Sequence, residues 1–180
     1  MTASSYIAQE MRRIERRVEG WLAAREGRVD FVAFARELDD ERRTLRAERE
    51  AAVAQGAMNP FHDIVTRHGL SPIDEDLLMM CLAPHLSQVV WGLLLHAQGS
   101  ALKPYLEVGF LLELVCPASE LVTAREHLGA RSPLVRSRLL RLVVPSEGGS
   151  LAGFLQYAVH APDYLATFVT CLLYTSPSPR

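Results

Sequence analysis

The most apolar and best-punctuated stretch of the chain runs from Leu70 to Leu95, LSPIDEDLLMMCLAPHLSQVVWGLLL. Ser71 is placed to cap a helix, Pro72 suits its first position, and Asp74, Glu75 and Asp76 put negative charge at the positive end of the macrodipole. Ser71 and Asp74 have the spacing of a capping box. Leu77, Leu78, Met79, Met80, Cys81 and Leu82 leave no polar face, so this helix is expected to be buried all round, with Pro84 as its stop. A second apolar block, Val89 to Leu95 with Trp91, completes an expected two-helix hub.

Upstream, Ile7, Met11, Ile14, Val18, Trp21 and Leu22 recur at spacings of three and four and predict a one-sided helix. Gly27 breaks the pattern, and Asp30 can open a second helix carrying Phe31, Phe34, Leu38, Leu45 and Val53 that ends near Gly56. Many of the arginines and carboxylates between Glu10 and Glu50 stand three or four apart, which predicts a solvated helix surface laced with weak ion pairs. A hairpin that docks a partner, or pairs with a second copy, is the sharper alternative.

Downstream, Asn59-Pro60 opens a short helix with Phe61, Ile64 and Val65 that ends at Gly69. The run HAQGSALKP breaks the chain after Leu95. A compact helix is expected from Glu107 to Val115, closed by Pro117, and a further one from the cap Ser119 to His127 or Leu128. Ser132-Pro133 then starts LVRSRLLRL, Leu139 to Val144 turns toward strand, PSEGGS makes a turn into LAGFLQYA, and Pro162-Asp163 opens DYLATFV. Helix, strand pair with a Gly-rich tip, and helix again: the outline resembles a winged-helix unit. The fold is therefore expected to be mainly α, with a helical hairpin over residues 1–56 followed by a helical domain with a winged-helix-like unit and a short β-hairpin over residues 57–170. The last residues, 171–180, CLLYTSPSPR, read as a translated sequencing adapter, so the natural sequence is expected to stop near Thr170 and the chain to be a fragment.

Composition changes this picture little. A net charge of −2 gives no global attraction to nucleic acid or anionic membrane. Lys103 is the sole lysine beside many arginines, as in GC-rich bacterial genomes. Cys81, Cys116 and Cys171 lack CxxC spacing, so neither a disulfide framework nor a zinc site is indicated. The N-terminus has no apolar signal block, and the apolar runs are interrupted by Pro84, His85 and Gln88 short of a membrane span; a cytoplasmic protein is expected.

The sequence holds no GxxxxGK[ST] loop, no GxGxxG, no HExxH and no GxSxG. His62 and His68 are poorly spaced for two ligands on one helix face, and His85 and His96 read as boundary residues. No catalytic, cofactor-binding or metal-binding residue is therefore named. What remains is a basic segment, Arg125, Arg131, Arg136, Arg138 and Arg141, set against one carboxylate, Glu126. On the helix before a wing these arginines are candidate contacts for a protein partner or, second, for DNA phosphates and guanine edges. Leu134, Val135, Leu139 and Leu140 leave little surface for reading bases, which ranks docking first.

The runs RHGLSPIDEDLLMMCLAPHL, KPYLEVGFLLELV and ARSPLVRSRLLRLVV resemble the N-terminal region that precedes the ATPase module in a group of bacterial AAA-family ATPases. The likeness spans roughly Asn59 to Val169. It departs at His85, where an acid is usual, and at Lys103-Pro104-Tyr105, where threonine usually follows proline. The resemblance implies a parent protein that binds ATP and Mg through a module outside these residues, with no cofactor in the chain itself. The present residues would be a non-catalytic accessory domain for docking or positioning, partnered by another protein or by the parent's own ATPase module. A winged-helix DNA-binding regulator and a helical protein–protein adaptor are the alternatives.

Overall fold

The computed structural model describes residues 2–99, 105–116, 120–145 and 153–170. At its centre is α4, Pro72–Leu86. Its start is the expected capping box: the Asp74 amide donates to Ser71 Oγ at 3.2 Å, and the Ser71 amide to Asp74 Oδ2 at 2.9 Å. Every residue from Asp74 to Ala83 is buried, the apolar run from Leu77 as expected and the three carboxylates before it as well. Pro84 does not stop it. The ring falls in the last turn, where only one backbone bond is lost, and the helix runs on to Leu86. The stop is Ser87, whose extended backbone lets its amide close α4 on the Ala83 carbonyl at 2.9 Å while its Oγ accepts from Val90 N and caps α5, Gln88–Gln98.

The hub is less symmetrical than its sequence suggests. The two helices meet at a bend of 116°, and α5 buries only Val90, Leu94 and Ala97, leaving Val89 64% exposed. Among the described residues no single helix is long and apolar enough to cross a membrane.

Helices α1, Ala3–Arg25, and α2, Phe31–Ala54, form the expected hairpin, capped by Thr2 and Asp30. They approach closely at Gly20, where a Cβ would sit 2.1 Å from the Phe34 ring. The stripe Ile7, Met11, Ile14, Val18 and Trp21 is buried and joins Leu77, Leu78 and Leu111 in one continuous apolar cluster, because α1 packs on α4, α5 and α6 as well as on α2.

Part of the hairpin's charge is a solvated lacework, as with Arg16 on Glu37 and Glu41. The rest is not. Arg13, Arg17 and Arg49 are among the most buried side chains of the molecule and reach the carboxylates of neighbouring elements. Arg13 Nη2 meets Asp76 Oδ1 at 2.6 Å, Arg42 Nη1 meets Asp76 Oδ2 at 2.6 Å, and Arg49 Nη1 meets Glu75 Oε2 at 2.9 Å. The acidic first turn of α4 thus binds the hairpin as well as serving its own dipole. Burial by itself would push the Asp76 carboxyl up, but the Arg13 and Arg42 guanidiniums outweigh it and hold the group below its ordinary range.

Helix α3, Pro60–His68, is capped by Asn59 and closed by left-handed Gly69. A two-residue strand, β1, Leu106–Glu107, precedes α6, Val108–Val115, so Glu107, the expected first residue of that helix, is instead its N-cap. Then come α7, Leu121–Ala124, a 3₁₀ turn at Arg125–Leu128, α8, Pro133–Arg136, and β2, Arg141–Val143. A 3₁₀ turn at Phe154–Gln156 leads into β3, Ala158–His160, and the expected last helix is α9, Asp163–Thr170. The sheet is antiparallel in the order β1-β3-β2, with Val159 opposite both Leu106 and Leu142. The expected Ser119 cap, the Gly-rich turn at 146–150 and the tail at 171–180 lie outside the described residues.

Candidate interaction surface

Ser132 and Pro133 start α8 as expected, the Ser132 Oγ accepting from Leu134 N at 3.0 Å. The helix then ends after one turn. Arg138 takes a left-handed backbone, φ +57°, its amide donating to the Val135 carbonyl at 3.0 Å while Leu140 N reaches back to the Leu134 carbonyl at 2.9 Å. Glycine usually fills this position after a helix. An arginine held there costs about 1 kcal/mol. Leu134, Leu139 and Leu140 are all buried, and the tight turn is what brings all three inward; a continuing helix would spread them around its axis.

The five arginines are consequently not arrayed on one helix. Arg125 lies in the 3₁₀ turn, Arg131 in the loop before α8, Arg136 at its last residue, Arg138 in the left-handed turn, and Arg141 on β2 opposite His160. The sequence places all five on the helix before a wing, but Arg138 and Arg141 lie beyond the end of α8. All five are exposed, and among the described residues none is in an ion pair. The hairpin arginines 13, 16, 17, 42, 43, 46 and 49 are each paired. The segment is fixed to the core by His127, whose Nδ1 stands 2.9 Å from Asp74 Oδ1, so the first turn of α4 positions the basic surface too.

Beside this turn lies a groove between α3 and α9, a cavity of about 360 Å³ lined by Ile64, Arg67, Leu139, Tyr164, Leu165 and Phe168. Tyr164 is 57% and Phe168 47% exposed. The Tyr164 hydroxyl donates to the Arg138 carbonyl at 3.3 Å and links α9 to the left-handed turn.

Two further cavities contain titratable side chains among the described residues. A cavity of about 550 Å³ between the hairpin and the end of α6 contains Cys116, whose thiol is pushed up to about 11 by burial and is therefore protonated at neutral pH. Arg17 closes its wall, donating to the Leu114 and Val115 carbonyls at 2.9 and 3.3 Å and so capping α6. His85 and His160 border a cavity of about 140 Å³, where burial, then the proximity of His85, lowers the His160 pKa. Among the described residues no three His, Cys, Asp or Glu side chains are grouped to hold a metal.

The β1-β3-β2 sheet, the helices before it and the basic turn feeding β2 are the parts of a winged-helix unit, and residues 2–161 match the family described as Winged helix domain, variant. The chain belongs to this family. No curated protein and no solved structure matches it. The winged-helix match takes in α1 and α2 as well as the sheet. In a DNA-binding winged helix the helix before the wing lies in the major groove; here that place belongs to α8, four residues long.

Sequence reasoning found the arginines but missed the groove. Its signal was present in DYLATFV: Leu165 and Val169 form one stripe at a spacing of four, and Tyr164 and Phe168 form a second. A short helix with one face on the core cannot bury both.

Proposed function

We propose that this winged-helix domain is a non-catalytic docking unit, the accessory domain of a bacterial AAA-family ATPase whose hydrolytic module lies outside these residues. Winged-helix domains serve DNA-binding or protein-interaction roles. The observation that carries the docking choice is the form of the basic segment. Its arginines are unpaired and exposed, yet they sit on a succession of turns with no helix long enough to enter a major groove. Separate cationic points around a partly apolar surface suit a protein partner better than a continuous base-reading helix.

The ATPase assignment is supported by the resemblance of the α4, α6 and α8 motifs. The chain has no GxxxxGK[ST] loop to hold nucleotide phosphates, so ATP and Mg belong to the parent and no step of hydrolysis falls to the residues present. Sequencing the genomic reading frame beyond the codon for Thr170 tests it. A phosphate loop in the next couple of hundred codons supports the assignment, and a frame that ends without one removes it.

The second reading, a DNA-binding regulator, is favoured by the same unpaired arginines. Titrating a labelled duplex at two salt concentrations separates the two. Phosphate-driven binding weakens steeply with salt, and its absence leaves protein docking.

A further inference from the structure

We propose that the outer face of α5 is a self-association surface, through which the chain pairs with a second copy of itself about a two-fold axis at Gly92. The proposal goes beyond the docking reading, which rests on the basic segment and not on this helix.

Composition sets α5 apart. Its sequence, QVVWGLLLHAQ over Gln88–Gln98, holds no Asp, Glu, Lys or Arg, a pattern that ordinarily belongs to a helix buried all round. The fold does not bury it. Only Val90, Leu94 and Ala97 are enclosed, while Val89, Gly92 and His96, at spacings of three and four, form an exposed stripe along one face. Val89 at the start of this stripe is 64% exposed. Gly92 is open too: a Cβ built there would meet no atom within 4 Å among the described residues. The fold therefore does not require glycine at this position, where alanine would favour the helix, and the bare backbone is free for the close approach of a second helix.

Knob and hollow lie on the same face. Beside the second half of α5 is an open groove of about 700 Å³, lined by Gly20, Leu22 and Ala23 of α1, Phe34 of α2, and Leu93 and His96. Val89 stands seven residues before His96, about 10 Å away along the helix axis. A two-fold axis at Gly92 exchanges the two ends, so an antiparallel copy lays its Val89 over this groove and receives the first copy's Val89 in its own. An isologous contact needs one surface that carries both complementary parts, on opposite sides of the axis. A foreign partner requires no such relation.

Charge points to the same occupant. Groups close to a two-fold axis face their own copies, so a charge placed there repels itself. The α5 stripe carries none. Around the groove, Arg28 is paired with Glu26 and Arg16 with Glu37 and Glu41, and Glu19 is the lining residue left without an ion pair among the described residues. An uncharged centre with ion pairs at its margin is the anatomy of a protein interface.

The test is sedimentation equilibrium of the full chain from about 1 μM to about 1 mM, a range that spans firm and marginal complexes. The parent chain should form a dimer and nothing larger, because an isologous contact closes on itself, and the dimer should change little with salt. Gly92→Glu should weaken it about a hundredfold, since two like charges then meet at the axis. The melting curve of that variant should stay cooperative, because the position is open. Gly92→Lys should behave in the same way, and mixing the two variants should restore a dimer containing one of each, as residue 92 then meets an opposite charge. A parent chain that stays monomeric over the whole range, a dimer that salt abolishes or Gly92→Glu leaves intact, or Glu and Lys variants that do not recombine would overturn the proposal.

Discussion

Arg13 and Asp76 stand 63 residues apart in the chain and 2.6 Å apart in the fold, both buried, with Arg42 on the second oxygen of the same carboxylate. This contact explains why the N-terminal hairpin and the central helix share one core. It joins α1 and α2 to the first turn of α4 through charges that neither side could bury alone.

Removing one member of this buried cluster should be far worse than removing the cluster. Asp76→Asn leaves Arg13 with Glu10, 2.8 Å away, as its remaining counter-charge and takes the nearest carboxylate from Arg42, and should cost about 3 kcal/mol. The triple variant Glu10→Gln, Arg13→Met, Asp76→Leu should cost less than Asp76→Asn. Urea unfolding of the two variants and the parent chain checks the order, and a triple variant worse than the single one would show that the cluster does more than satisfy itself.

The same carboxylate predicts an acid limb. Its folded pKa lies below the ordinary 3.8, so the stabilisation is fully present above that value and is lost as the pH falls through the folded pKa. The urea midpoint of the parent chain should therefore drop between about pH 5 and about pH 2, and the drop should be smaller in Asp76→Asn. Equal drops in the two chains would assign the acid sensitivity to other groups.

Leu78 is completely buried in α4. Leu78→Ala should cost about 2–5 kcal/mol by opening a cavity, and Leu78→Asn should unfold the domain, because the amide has no partner among the apolar side chains around it. A folded Leu78→Asn chain with the parent's melting temperature would mean that α4 is not the centre of the core.

The exposed arginines should behave in the opposite way. Replacing Arg125, Arg131 and Arg141 together by serine should change stability by no more than about 0.5 kcal/mol per site, since all three are exposed and none is in an ion pair among the described residues. A loss well beyond that, read by thermal melting, would make the basic segment structural and remove the main support for docking.

Much of the frame is legible in the residues themselves. Capping residues and all-apolar or one-sided patterns define α1 to α6 and α9 because these are local properties. Ser71, Asp30 and Asn59 each cap the helix that they announce. What the pattern hides is pairing across the chain. Arg13, Arg17 and Arg49 look like surface residues in a charged helix, and only the approach of α4 and α6 shows that they are buried. The same holds for Asp76, whose place at a helix start is a sufficient local explanation and an incomplete one. The one-turn length of α8 was concealed because LVRSRLLRL is good helix sequence, and the burial of Leu139 and Leu140 overrides that propensity at the cost of a left-handed Arg138. The groove was hidden for a related reason: α3 and α9 are distant in sequence and meet only in the fold.

The most direct test of the account is to remove residues 1–56 and record a two-dimensional amide spectrum of the remainder. The buried ion pairs and the shared apolar cluster predict collapse of peak dispersion and loss of cooperative melting, because Glu75 and Asp76 would be stripped of Arg49, Arg13 and Arg42 and the α1-facing side of the core would be bare. A well-dispersed spectrum with a sharp melting transition would contradict it, and would make the hairpin an appendage to a winged-helix domain that stands without it.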